Sequence, residues 1–567
     1  MIPMTQEIPV VNRTTELSDC RDKWTFDAQY GCWCLEDVLY TQRADVPKFQ
    51  RLSIFVPEAY LNADGTPNPQ GRCGRYTGAT VPVVFENNSA GYMQMPHTWL
   101  GGPRSYAEQY LRHGLIYVTC GCRGRESRDA QGQPVGKAPI TLVDLKTAIR
   151  FLRHNRAALP GDWSRIISVG WSAGGAMSSL LGVTGDHPAY DGYLEAAGAF
   201  MDESDTVFAA QIYCPIIDLE HADLAYEWMF HADKTCEDSP AGPAETMTPF
   251  KEALSAELSV RYADYVNALG LRHPRTGEPL TLYDGGRSGP FYDYLMDCLG
   301  DSATDYLSRL ERGLLPAAYS VKDYLCGRYT YEAPAPKPNA PKALHHAGPG
   351  IGLAPDAPAR RPGLGELMSR PPKGVPFREM KPEMERRQGA DKRDWLIWDG
   401  QRATITDLDT YVLKHRRRMK PCTSFDKLTC DSGENEEFGT AQADFAHFNP
   451  IIGEAIGALR SAFPEEAARY EAAFDVGGDR ELAQRIALLN PLNFISAHAE
   501  NPQAQHYRIR VGASDADTSL SVSMTLAVKL QNAGHPVDYA LVWDQPHSEA
   551  DYPGEVLEWI DSICVGA

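Results

Sequence analysis

Two textures of apolar and polar residues alternate along the chain. From Phe49 to Tyr213, short runs dense in apolar and aromatic residues (LSIFVP, VPVVFEN, LIYVTCG, IISVGW and FAAQIYCP) are separated by helix-like stretches. Runs with so little polar interruption read as strands buried on both faces. Between LIYVTCG and IISVGW, Leu142, Leu145, Ala148, Ile149 and Leu152 recur at helical spacing and share one face. A helix between two buried strands is a βαβ unit, so a parallel sheet is the expected architecture.

After Cys214-Pro215 the pattern turns polar and helical, as in ETMTPFKEALSAELSVRYADYVNALG and FYDYLMDCLGDSATDYLSRLERG. Within this part, Pro334 to Pro376 carries 11 of the 41 prolines and almost no periodicity, and reads as an extended surface loop or a partly disordered segment. The run His415-Arg416-Arg417-Arg418 ends a helix that starts near Thr406-Asp407, where cations favour the helix C-terminus, and a solvated helix end is expected. Strand and helix patterning returns near Asn490. HYRIRVGASDADTS and VDYALVWDQPH are strands entering loops, SVSMTLAVKLQNAG is a helix closed by Gly534, and EVLEWIDSI is a final helix. The chain thus divides into a first core segment (1–218), a mainly helical insertion (219–487) and a second core segment (488–567).

Composition narrows the function. With 567 residues, 43% apolar and 23% charged, the chain has the makeup of a globular protein with room for more than one domain. A formal charge of −20 opposes binding to phosphate backbones or anionic lipid, so neither nucleic acid nor membrane is an expected partner. The 13 cysteines are odd in number and lack zinc-ribbon spacing, so at least one thiol is free and no disulfide framework is implied. The pairs Cys32/Cys34 and Cys120/Cys122 are expected to place one sulfur in the core and the other at its edge, and no metal or cofactor is called for. The N-terminus shows neither a basic n-region nor an apolar h-region, and the expected location is cytoplasmic.

The sharpest local feature is Gly170-Trp171-Ser172-Ala173-Gly174, a G-x-S-x-G between the strand IISV and the small-residue helix start GGAMSSLLG. A serine nucleophile on such a turn takes a strained backbone conformation, and side chains two positions either side would collide unless they are glycine. The helix N-terminus offers the Ala173 N–H to a developing oxyanion. A hydroxyl needs a base and an orienting carboxylate, here in the order Ser, acid, His. Asp515 follows the strand YRIRV, and His547 follows YALVW and precedes the closing helix. Asp517 and Asp544 compete for the acid role, but Asp544 shares a loop with His547, which makes support of the imidazole awkward. For the second oxyanion donor, VPVVFEN runs into Asn88-Ser89-Ala90-Gly91-Tyr92, where Gly91 would let backbone approach a carbonyl; an ordinary loop glycine is the alternative.

Taken together, GKAPITLVDLKTAIRFLRHN, ALPGDWSRIISVGWSAGGAMSSLLG, IYCPIIDLEHADLAYEWMF, RVGASDADTSL and LVWDQPHSEADY resemble the bacterial tannases, serine esterases that split gallic acid esters. The resemblance implies an α/β-hydrolase fold with a large helical lid. It also implies a small-molecule gallate ester as substrate, with Ser172 as nucleophile, Asp515 as acid and His547 as base. The family's galloyl pocket falls on Lys420, Glu434 and Asp517, with Glu436 or Glu437 as alternatives to Glu434. Carboxylates accept protons from the three phenolic hydroxyls, while an ammonium stabilises phenolate character. The proline-rich stretch is longer than the family pattern, and Trp171 is larger than is usual there. An esterase for another aromatic acid such as ferulate, a peptidase, and a non-catalytic binding protein on the same fold are the competing readings.

Overall fold

The computed structural model describes residues 16–564 except 88, 99, 101–105, 237–243, 316, 318, 329–391 and 441, so the proline-rich stretch from Pro334 to Pro376 lies outside the described residues. Nine strands form one sheet: β1 (Thr25–Asp27), β2 (Cys32–Leu39), β3 (Arg51–Pro57), β4 (Val83–Asn87), β5 (Ile116–Cys120), β6 (Ile166–Trp171), β7 (Ala209–Tyr213), β8 (His506–Gly512) and β9 (Val537–Val542). Their order is β1-β2-β3-β5-β4-β6-β7-β8-β9. From β5 across to β9 every pairing is parallel, and the strands β4, β5 and β7 are buried along their whole length.

The expectation of a parallel sheet fails at the other edge, where β1 to β2, β2 to β3 and β3 to β5 are antiparallel. β1 and β2 are joined by residues 28–31 alone, and β2 reaches β3 without a helix, so neither connection is a crossover that could bring the next strand back parallel. β4 to β5 and β5 to β6 step in opposite directions along the sheet, and right-handed crossovers therefore place their helices, Ala107–Arg112 and Ile140–His154, on opposite faces. The result is an α/β-hydrolase-like fold.

The helix Ile140–His154 buries all five residues of its predicted apolar face. It also buries Asp144, Lys146 and Arg150 on its other flanks, because loops cover them and supply counter-charges: Arg123 for Asp144, and Asp205 for both Lys146 and Arg150. All 13 cysteines are free, and both members of each C-x-C pair are buried, since Cys34 and Cys122 point inward as fully as Cys32 and Cys120.

Residues 214–505, between β7 and β8, include the helices Leu219–Phe230, Pro249–Ala268, Pro290–Glu311, Gly433–Glu437, Pro450–Ala458 and Arg480–Leu489. A helix does start at Leu408, capped by the Asp407 side chain, which accepts the Thr410 N–H at 2.7 Å. Its end is not solvated, however: His415, Arg416 and Arg418 are buried, and only Arg417 is exposed. The segment docks on the core. Arg418 pairs with Glu227, Arg416 donates to the Thr518 carbonyl at 2.5 Å, and Tyr411 donates to the Ala513 carbonyl. Among the described residues, no helix is long and apolar enough to cross a membrane.

Candidate functional site

β6 ends in a turn that hands the chain directly to the helix Ala173–Val183, and Ser172 sits at that junction with φ 59° and ψ −126°. This is a sparsely populated conformation for a residue with a side chain, and it projects the hydroxyl off the sheet edge. The flanking glycines are sterically required. A Cβ at position 170 would lie 2.2 Å from the Gly174 carbonyl oxygen and 2.5 Å from Asn87 Nδ2, and one at position 174 would lie 2.7 Å from Asn87 Oδ1. Asn87, the last residue of β4, was not singled out by sequence reasoning. Its buried amide nitrogen lies 3.1 Å from the Val169 and Gly174 carbonyl oxygens and 2.9 Å from Ser178 Oγ, and its two hydrogens are shared among these three acceptors, clamping the turn from the neighbouring strand. The only sequence signal for it is the polar pair Glu86-Asn87 closing a strand that starts apolar.

The structure brings Ser172, His547 and Asp515 together. His547 Nε2 lies 2.8 Å from Ser172 Oγ, and His547 Nδ1 lies 2.8 Å from Asp515 Oδ2. Asp515 is fully buried, and its other oxygen accepts the Asp517 N–H at 2.9 Å. Burial by itself would raise the Asp515 carboxyl, but the His547 imidazole, together with Arg416 and the Asp517 N–H, holds the group below the ordinary carboxylate value. Burial likewise opposes charging His547, yet the Asp515 carboxylate raises this imidazole well above its ordinary value. Asp544 is not part of this hydrogen-bonded series: it is half-buried elsewhere, accepting from the Tyr324 hydroxyl at 2.6 Å and lying 3.3 Å from His415. Trp171 packs edge-on to the His547 ring with centroids 6.0 Å apart.

Ala173 is the first residue of its helix, so its N–H has no intrahelical acceptor. Gly91 lies in the turn Ala90–Tyr92, which packs against the same helix, and its φ of 64° is the left-handed region that glycine enters without strain. The Gly91 carbonyl accepts from Arg125 Nε at 2.9 Å, and the same guanidinium meets Glu436 at 2.6 Å, tying this turn to the helix Gly433–Glu437.

Lys420, Glu434 and Asp517 are all half-buried, and they come from three separate segments. The Lys420 ammonium lies 4.0 Å from the centre of the Phe425 ring, and its backbone N–H donates to the Tyr226 hydroxyl at 3.0 Å. Asp517 adjoins the triad-like chain through its N–H and raises His547 further. The helix that carries Glu434 packs against the turn Ala90–Tyr92: burial, then Glu437, then Glu434 push the Tyr92 hydroxyl up. The alternatives to Glu434 are occupied differently, because Glu436 is paired with Arg125 and Glu437 is fully buried.

Among the described residues, two groups offer potential metal ligands, Cys214–Asp515–His547 and Asp218–Glu220–His221. Both are hydrogen-bonded networks in which the donors and acceptors already satisfy one another. Cys214 donates to the Ser548 carbonyl at 3.3 Å and lies 4.0 Å from His547 Nε2. Asp218 accepts from His221, Asn490 and Tyr265 at 2.8, 2.8 and 2.5 Å.

A strained serine between sterically required glycines, hydrogen-bonded to a histidine that is in turn held by a buried carboxylate, can carry out acyl transfer. A family model described as BD-FAE matches residues 127–235. No curated protein matches the chain. Among solved structures, the native tannin acyl hydrolase from Lactobacillus plantarum is 30% identical, with 94% of each chain covered and a TM-score of 0.70. The chain belongs to the tannase family. Other tannase structures agree: a tannin acyl hydrolase in complex with ethyl gallate is 29% identical with 94% of each chain covered and a TM-score of 0.70. Fusobacterium nucleatum tannase is 27% identical over 94% of this chain and 95% of its own, also at 0.70. The chain is accordingly an ester hydrolase of the tannase type.

Proposed function

We propose that the protein hydrolyses galloyl esters through a galloyl-enzyme intermediate on Ser172. The observation that carries this is the Ser172–His547–Asp515 hydrogen-bonded chain at the β6 turn, in a member of the tannase family. His547 takes the Ser172 proton as Oγ attacks the ester carbonyl, and Asp515 holds the imidazole in the required tautomer. The N–H groups of Ala173 and Gly91 stabilise the oxyanion, the tetrahedral intermediate expels the alcohol with the proton from His547, and water activated by the same imidazole releases gallate. Residues 219–487 serve as the lid. Lys420, Glu434 and Asp517 bind the three ring hydroxyls, a set of partners that would be left unpaired by an acid lacking those hydroxyls.

Hydrolysis of methyl gallate and methyl ferulate by the wild type, and of methyl gallate by Ser172→Ala, tests the proposal. Methyl gallate is expected to be turned over preferentially, and the alanine variant to lose at least ~10⁴-fold in kcat. Equal turnover of the two esters refutes the galloyl pocket and favours a broader aromatic-acid esterase; gallate release by Ser172→Ala refutes the whole scheme.

A further inference from the structure

The helix Leu219–Phe230 directs Asp223, Tyr226 and Glu227, spaced i, i+3 and i+4, at the segment that carries Lys420. Asp223 accepts the N–H groups of Ser424, Phe425 and Asp426 at 2.6, 2.9 and 2.9 Å, and Glu227 holds the Arg418 guanidinium. Tyr226 is placed differently. Its hydroxyl accepts the N–H groups of Met419 at 3.1 Å and Lys420 at 3.0 Å, and donates its own hydrogen to the Ala516 carbonyl at 3.0 Å. Ala516 lies between Asp515 and Asp517. The Tyr226 ring is fully buried, stacked on Phe230 with centroids 4.4 Å apart, and edge-on to Phe425, the ring beneath the Lys420 ammonium.

One phenolic oxygen therefore joins three segments far apart in sequence: the helix after β7, the lid segment with Lys420, and the loop after β8 with Asp515 and Asp517. A hydroxyl has one hydrogen and two lone pairs, and all three are used here. Neither segment can slide past the other without leaving a buried backbone group unpaired. We propose that Tyr226 is a positioning residue that fixes the separation of Lys420 from Asp517, and thereby sets selectivity for a ring with adjacent hydroxyls over an unsubstituted ring. The proposal rests on the galloyl reading of those two residues. Tyr226 is fully buried, and its hydroxyl bonds to the backbone of Ala516, Met419 and Lys420 rather than to Ser172, His547 or Asp515. The contacts of Arg416 with Thr518 and Tyr411 with Ala513 still dock the segments when the hydroxyl is removed, so its loss changes register rather than fold.

Tyr226→Phe, assayed on methyl gallate, methyl benzoate and p-nitrophenyl acetate, is the test. For methyl gallate, kcat/KM is expected to fall about 20-fold or more, mostly through KM, because two N–H groups and one carbonyl lose their shared partner. The other two esters should stay within about 3-fold of wild type, since neither uses the ring-hydroxyl partners. An equal fall on all three esters assigns Tyr226 a purely structural role and overturns the proposal, as does an unchanged gallate-to-benzoate ratio. A wild type with no preference for gallate overturns the galloyl reading, and this proposal with it; a preference kept by the phenylalanine variant overturns this proposal alone. Hydrogen exchange on the unmodified protein decides the matter if the variant does not fold. Without any ligand, peptides covering 419–420 and 515–518 should open together at one common exchange rate where opening is rate-limiting, and separate rates refute the coupling.

Discussion

Replacing Asp515 by asparagine probes the site at its most constrained point. The carboxylate is fully buried, with one oxygen 2.8 Å from His547 Nδ1 and the other receiving the Asp517 N–H at 2.9 Å. That N–H can face only an acceptor, so the asparagine must turn its carbonyl oxygen to Asp517 and its amino group to His547. An amino group opposite Nδ1 demands that Nδ1 be the bare nitrogen, which moves the imidazole hydrogen to Nε2. Nε2 then donates to Ser172 Oγ instead of accepting its proton. The geometry survives while the base is disabled, and kcat is expected to fall about 10⁴-fold, equivalent to ~5.4 kcal/mol of transition-state stabilisation. Because the Asp515 charge is the largest of the influences that raise His547, ahead of Cys214 and Asp517, its removal lowers that pKa. His547 must be neutral to act as base, so the acidic limb of kcat/KM lies above the ordinary imidazole value of 6.5 in the wild type and moves to lower pH in the variant. The assay is kcat and kcat/KM on methyl gallate against pH, with thermal unfolding as a control for the fold. A folded Asp515→Asn enzyme within tenfold of wild-type kcat, or an acidic limb that does not move, refutes the tautomer argument.

Two further outcomes follow from buried charges outside the serine–histidine–aspartate chain. Burial pushes the Glu86 carboxyl up to about 8, with the Tyr117 hydroxyl donating to it at 2.5 Å, so the folded protein keeps this group neutral where the unfolded chain ionises. Stability from this group is fully present below the ordinary value of 4.5 and is lost as pH rises toward 8. Glu86→Gln should flatten that loss, gaining on the order of 3 kcal/mol at pH 7 by urea unfolding, and a variant that tracks wild type between pH 5 and 8 would contradict the assignment. Arg125→Met removes the guanidinium from buried Glu436 and should destabilise by about 3–5 kcal/mol, with much of this recovered on adding Glu436→Gln; additive losses would rule out the coupling.

Much of the core was legible in the chain because its signals are local. Unbroken apolar runs mark β3 to β7, a 3.6-residue period marks Ile140–His154 and Leu520–Asn532, and Gly534 closes the latter at a φ of 95°. The Ser172 turn was legible for the same reason: its steric demand falls on residues two positions away. Short N-terminal strands escaped notice because three to eight residues of mixed polarity carry little periodic signal. The run from His415 to Arg418 misled because charge alone does not reveal whether a partner waits in the fold. Glu227, 191 residues away, is what makes Arg418 an interior residue.

Sequence by itself determined the strands β3 to β9, the helices Ile140–His154 and Leu520–Asn532, the glycine-flanked turn at Ser172, and the order of a serine, an acid and a histidine along the chain. Those depend on sterics and periodicity within a few residues. Tertiary structure alone decided that Ser172 and His547, 375 residues apart, lie within hydrogen-bond reach, that Asp515 rather than Asp517 faces the imidazole, and that Asn87 and Tyr226 are junctions. Hydrogen bonds act over about 3 Å whatever the separation in sequence, and only the packed sheet and the segment docked on it bring such groups to that distance.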